Sequence, residues 1–284
     1  MHRALLPVVL ALLAFLTACS ATPSTLSSAD KFHEATTRAF ASPDRACVVL
    51  VDASTGQSRV MNPSQAAHRY PPASTFKIPN SLIALHTRAI PDPDHILTWD
   101  GTTHQREVNN RNHSLRSAFH FSVLWYYQEL ARRVGNPRMQ QLLESMHYGN
   151  ADTSSGLTTF WLRGSLRISA HEQIAFLTTI HNRSLPLSSH ALDGLLDIMI
   201  LAQGPGWTFR GKTGTYSGPV DGIDSSLGWF VGWIERDGRA LFFAANDSTG
   251  LMGPDVRERV QQVLVDLGEL PPDWEEHARN VDLP

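Results

Sequence analysis

The hydrophobic patterning of the chain predicts an α+β fold, in which one antiparallel sheet drawn from both ends of the chain is layered with a helical lobe. Early alternating segments at residues 47–51 and 57–61 read as two strands joined by the turn Ser54-Thr55-Gly56. Residues from 74 to about 200 are mostly helical in period. Alternation then returns at 207–212, 227–234 and 239–245, with the hairpin signal Arg236-Asp237-Gly238 between the last two. A site at the junction of sheet and lobe would draw residues from both.

Taken from the start, residues 1–21 read as an export signal: His2 and Arg3, then the apolar run from Ala4 to Leu16, then small residues. The run is shorter than a membrane span. Leu16-Thr17-Ala18-Cys19 resembles the lipobox of bacterial lipoproteins, which would lipidate Cys19 and anchor a periplasmic protein to its membrane. Cleavage after Ser20 or Ala21 is the alternative. Residues 22–29 form a tether and 30–284 a single domain, with the helical insertion at about 74–200.

A helical stretch around Lys31 to Phe40 precedes the first strand. Within the lobe, one helix is expected over residues 117–134, stopped by Gly135 and Pro137, and another over 169–179. Pro254 opens a final helix that Gly268 and Pro271 close. The net charge of -3 offers no footprint for nucleic acid. Cys19 and Cys47 are the only cysteines, so no disulfide is expected in the mature chain, and Cys47 in its apolar strand reads as a buried, inert thiol.

The chemistry centres on Pro71-Pro72-Ala73-Ser74-Thr75-Phe76-Lys77-Ile78-Pro79. The prolines stop the preceding segment, Ser74 reads as the helix N-cap, and Pro79 falls in the first turns where it does least harm. Residues i and i+3 share a helix face, which brings the Lys77 amine within reach of the Ser74 hydroxyl. Ser74 reads as nucleophile and Lys77 as its base, a role that requires an apolar pocket to keep the amine neutral. The spacing alone is weak, since Ser28-Ala29-Asp30-Lys31 shares it. Lys31, Lys77 and Lys212 are nevertheless the only lysines among 24 basic residues, so lysine is kept where a deprotonatable amine matters.

Three further groups are candidates. Lys212-Thr213-Gly214-Thr215, leaving a strand, offers an ammonium, a hydroxyl and a glycine that admits a substrate backbone. A second hydroxyl near Ser74 would come from Ser122 or from Tyr148. Trp161 follows a loop, 151–159, suited to an excursion over a cleft, and between Ser145 and Ala170 there is no glutamate to activate water. The 13 histidines, among them His104, His113, His120, His147 and His171, form no metal-binding motif and read as surface or loop residues, so no metal is expected.

Together these motifs resemble the class D serine β-lactamases, the oxacillinase group within the fold of penicillin-recognising enzymes. The resemblance rests on Pro-Ala-Ser-Thr-Phe-Lys at 72–77, Ser-Val-Leu at 122–124, Tyr-Gln-Glu-Leu-Ala-Arg-Arg at 127–133, Tyr-Gly-Asn at 148–150, the Phe-Trp-Leu segment opening 160–169, and Lys-Thr-Gly at 212–214. It implies that Ser74 is acylated by a β-lactam antibiotic, with the N–H groups of Ser74 and Thr215 as oxyanion hole. It implies that Lys77 takes up carbon dioxide to become N6-carboxylysine, held by the Trp161 indole, and that no other cofactor is needed. Ser122 would relay a proton, Lys212 and Thr213 would hold the substrate carboxylate, and Phe76, Leu124 and Leu162 would wall the pocket.

Arg257 matches the arginine that completes the carboxylate site in many members, with a solvated arginine beside Glu258 as the alternative. The chain departs from the family at Asn109-Asn110-Arg111-Asn112, where Trp-Asn-x-Asp is common, and in the connection Thr215 to Gly222. A penicillin-binding or sensor protein, acylated without efficient turnover, is the rival implication.

Overall fold

The computed structural model describes residues 26–220 and 223–284. The expected export signal, including Cys19, and the first part of the tether lie outside the described residues. The chain runs α1 (Ser28–Ala39), β1 (Ala46–Asp52), β2 (Ser58–Met61), α2 (Pro63–Ala67), α3 (Lys77–His86), β3 (Ile96–Leu97), β4 (His113–Ser114), α4 (Leu115–His120), α5 (Leu124–Val134), α6 (Asn136–Ser145) and α7 (Ala170–His181). It continues through α8 (Ser189–Ile198), β5 (Ile200–Gly204), β6 (Trp207–Val220), β7 (Ile223–Arg236), β8 (Arg239–Asp247) and α9 (Gly253–Asp266).

Six strands form one antiparallel sheet in the order β2-β1-β8-β7-β6-β5, so strands from both chain ends meet at the β1–β8 pair, as expected from the patterning. Period-2 alternation sorts the side chains onto two faces. Cys47, Val49, Trp229, Val231, Trp233, Phe242 and Ala244 join a core shared with the helical lobe. Val48, Leu50, Phe230, Phe243 and Ala245 join a second core under α1 and α9. Burial pushes the Cys47 thiol up to about 12, which keeps it protonated and inert.

Helix starts follow local capping chemistry. Ser27 caps α1 in a reciprocal pair with Asp30, so the expected tether gives way to helix at Ser28. Ser169 and Glu172 cap α7 in the same way. The single helix expected over 117–134 is two: α4 ends at His120, and α5 begins at Leu124 after a corner in which Ser122 has φ 61°. Sequence periodicity continues across this corner because both helices bury apolar residues in the same core, so the break leaves no mark in the pattern.

The late strands also run further than expected. β6 and β7 stay paired from Trp207–Arg236 out to Val220–Ile223, so the stretch after Lys212 is one arm of a long hairpin. Ordinary β-ladder pairing with β7 carries Ser217 and Gly218 in strand despite their loop-like composition.

Candidate active site

Ser74 does not cap a helix. It lies inside a 3₁₀ turn, Ala73–Phe76, that runs directly into α3, whose first residue is Lys77 and whose cap makes no side-chain bond. Ala73 at φ 48° is the reason: the chain turns through a left-handed residue after the prolines and is already helical at Ser74. A non-glycine residue there costs on the order of 1 kcal/mol or more and needs support from its surroundings.

Support comes from all sides. Ala73 N donates to Trp161 O at 3.0 Å and Trp229 Nε1 to Pro71 O at 3.0 Å. Thr75 Oγ1 donates to Pro72 O at 2.7 Å and accepts from Gln173 Nε2 at 2.9 Å. Relieved of capping, the Ser74 hydroxyl accepts from Lys77 Nζ at 2.9 Å.

Lys77 is 1% exposed, and its amine sits 5.1 Å from the centre of the Tyr127 ring. Burial first, then the positive charges of Lys212 and Arg106, hold its pKa well below the usual lysine range. That shift favours the neutral, nucleophilic form of the amine. Trp161, fully buried, stacks on Phe76 at 5.1 Å with an interplanar angle of 19°. Its Nε1–H is buried and has no hydrogen-bond partner among the described residues.

Ser122 and Tyr148 separate cleanly. Tyr148 is fully buried, edge-on to Phe76 and Phe176, and belongs to the core. Ser122, turned out by its left-handed corner, accepts from Lys212 Nζ at 3.1 Å. Lys212 also donates to Thr213 O at 3.2 Å. Burial, followed by the charges of Arg257 and Arg106, brings its pKa down to about 7.

Lys212 to Thr215 lie along the open part of a strand edge. β5 pairs with β6 only as far as Arg210, and Gly211 N bonds to Met199 O, which leaves Lys212 to Thr215 without a strand partner on that side among the described residues. Gly214 is required by close approach: a Cβ there would meet Pro72 O at 2.9 Å and Thr75 N at 3.1 Å. Thr215 Oγ1 accepts from Gly253 N at 2.9 Å, which ties the edge to the start of α9. One turn along, Arg257 lies 5.9 Å from the Trp274 ring centre and faces the cleft, which favours the site reading over the solvated one. The cleft is a cavity of about 500 Å³ whose lining includes Ser74, Ser122, Thr213, Gly214, Thr215 and Arg257.

A family model described as penicillin binding protein transpeptidase domain matches residues 46–262. The chain is 36% identical to β-lactamase OXA-20 of Pseudomonas aeruginosa over 79% of its own length and 84% of the relative's. It is 38% identical to β-lactamase OXA-48 of Klebsiella pneumoniae over 76% of its length and 82% of the relative's. The solved structure of the class D β-lactamase YbXI from Nostoc superposes with a TM-score of 0.77 at 35% identity, covering 83% of this chain and 99% of that one. The chain belongs to the class D β-lactamases.

The structure adds to this β-lactamase site what the motifs omit. Arg106, His120, Phe121, Met252 and Pro254 also line the cleft. Their place at the cleft carries no local signal, because loop 98–112, the α4 terminus and the start of α9 are brought to Ser74 only by packing. One histidine overturns the surface reading: His113 is fully buried, its Nε2 donating to Val108 O at 2.8 Å, whereas His120 is exposed and lines the cleft from the surface. Phe76 is a fully buried member of the core, and Leu124 and Leu162 are half-buried against it. These three expected walls therefore back the site, while the residues lining the cavity are others.

The Asn109–Asn112 departure has a structural role, since these asparagines stitch the loop. Asn110 Oδ1 accepts from His104 N at 2.6 Å while its Nδ2 donates to His104 O at 3.0 Å. Asn112 Oδ1 accepts from Trp99 N at 3.0 Å. Among the described residues no three His, Cys, Asp or Glu side chains converge as a metal site.

Proposed function

We propose that this class D β-lactamase opens the β-lactam amide through an acyl-enzyme on Ser74, with N6-carboxylysine at position 77 as general base, and thereby confers β-lactam resistance. The observation that carries the reading is the buried, charge-depleted Lys77 amine 2.9 Å from Ser74 Oγ. A neutral amine is the form that reacts with carbon dioxide, and the partnerless Trp161 Nε1–H is the buried donor that the resulting anion needs. Carboxylation supplies a base of lower pKa than a free amine.

The chain's own residues perform the remaining steps. Ser74 Oγ gives up its proton toward residue 77 and bonds to the carbonyl carbon, while the N–H groups of Ser74 and Thr215 receive the developing oxyanion. The C–N bond breaks, and Ser122, which accepts from Lys212 Nζ at 3.1 Å, passes a proton to the departing nitrogen and is replenished by the proton that residue 77 took from Ser74, so residue 77 is again a base. Water activated at residue 77 then cleaves the ester and returns Ser74. Lys212, Thr213 and Arg257 hold the substrate carboxylate.

The test is hydrolysis of a chromogenic β-lactam by the purified mature chain, with and without bicarbonate, beside Lys77→Ala. Many turnovers, raised by bicarbonate and lowered roughly 10²–10⁴-fold in the variant, are expected for loss of a general base. A single acylation burst without turnover in the unmodified protein would return the reading to a penicillin-binding or sensor protein. Export, with Cys19 as lipid anchor, belongs to the same proposal; mass spectrometry of the mature N-terminus distinguishes a diacylated Cys19 from a start at Ala21 or Thr22.

A further inference from the structure

The cleft carries more positive charge than one substrate carboxylate needs. Arg106 and Arg257 line it, Lys212 and Arg257 line an adjoining cavity of about 90 Å³, and no aspartate or glutamate lines either. The cations stand on different elements: Lys212 and Arg257 come from β6 and α9, whereas Arg106 comes from the loop beside the helical lobe. Arg106 forms no ion pair among the described residues.

Arg106 is also held in place. Its Nη1 donates to Phe121 O at 2.9 Å, in the corner that presents Ser122. The loop that bears it is clasped at His104 by Asn110, and Trp125 Nε1 donates to Asn109 O at 2.9 Å. One of five guanidinium donors is thereby used, which leaves the others for a ligand. In a bicyclic β-lactam, the ring carboxylate and the acylamino side chain project from opposite ends of the nucleus. With the carbonyl carbon at Ser74 and the ring carboxylate on Lys212 and Arg257, the side chain projects away from those two cations, and Arg106 is the other arginine that lines the cleft.

We propose that Arg106 is a second anion subsite that selects β-lactams whose acyl side chain bears its own carboxylate or sulfonate. The proposal rests on the acyl-enzyme reading and names the substrate class of that site. Arg106 contacts substrate in this scheme and takes no part in the bond-making steps.

Benzylpenicillin and its α-carboxy derivative differ by one carboxylate, and the measurement is the ratio of their kcat/KM values in the unmodified enzyme, Arg106→Gln and Arg106→Lys. Glutamine retains a donor for Phe121 O, so the corner is preserved while the charge is lost. The expected result is a fall of about fivefold to tenfold in the ratio (α-carboxy over parent) for Arg106→Gln, as befits a partly exposed charge pair, with most of it restored in Arg106→Lys. The ratio in the unmodified enzyme should also fall with added salt more than in Arg106→Gln. An unchanged ratio overturns the proposal, and so does an equal loss on both penicillins, which would assign Arg106 to support of the Ser122 corner. Mass spectrometry separates the underlying reading: no penicilloyl adduct on Ser74 with either compound would remove the acyl-enzyme, and the subsite with it.

Discussion

Lys77 and Lys212 each donate to a serine of one cleft, Ser74 and Ser122; they are 1% and 4% exposed, and burial is the largest cause of a lowered pKa in both. Their surroundings nevertheless give them different work. Around Lys77 the structure offers one serine oxygen, the face of Tyr127 and the stacked Phe76–Trp161 pair, with no carboxylate among the causes of its pKa. Lys212 has two acceptors, Ser122 Oγ and Thr213 O, while burial first, then Arg257 and Arg106, brings its pKa down to about 7. Desolvation alone is therefore a poor guide to a lysine's role. The groups each amine meets distinguish the two: Lys77 reaches the hydroxyl of Ser74, and Lys212 reaches Ser122 and Thr213.

The strongest way to break this comparison is to place a guanidinium, which stays charged, at each position. Lys77→Arg should lose turnover roughly 10²–10⁴-fold, the scale of a missing general base, whereas Lys212→Arg should lose under about tenfold. Thermal melts of both variants show whether the fold tolerates the change, and similar losses in two folded variants would erase the distinction.

Trp161→Phe sharpens the Lys77 side. A phenyl ring can keep the stack on Phe76 but removes the Nε1–H, so the loss of one buried donor to a charged group, about 1.5–3 kcal/mol, should lower turnover by about tenfold to a hundredfold. Activity should recover in part at high bicarbonate. A bicarbonate response like that of the unmodified enzyme would mean that the indole does not hold the modified lysine.

The smallest expected effect is a pH dependence on the Lys212 side. In the free enzyme its ammonium loses its proton as pH rises through about 7, so kcat/KM for a β-lactam carboxylate should decline on the alkaline side from there. A bound carboxylate favours the charged form, so the matching limb in kcat should lie at higher pH. In Lys212→Arg the limb near 7 should vanish from the kcat/KM profile. If it stays, another group sets it.

The sequence by itself determined the α+β class, the sheet shared by both chain ends, and the identity of Ser74, Lys77, Ser122, Trp161 and the Lys212–Thr215 edge as candidates. These features are local: they rest on alternation, helical spacing, and residue types that few other roles require. Tertiary structure decided the rest. It turned Ser74 from a helix cap into a member of a 3₁₀ turn, because the left-handed Ala73 is stable only with Trp161 O and Thr75 bracing the turn. It broke the 117–134 helix at Ser122, whose corner is fastened by Arg106 from fifteen residues earlier. It sent Tyr148 to the core and brought Arg106, His120 and Met252 to the cleft. Each of these outcomes depends on contacts between residues distant in the chain, and such contacts leave no periodicity for a sequence to display.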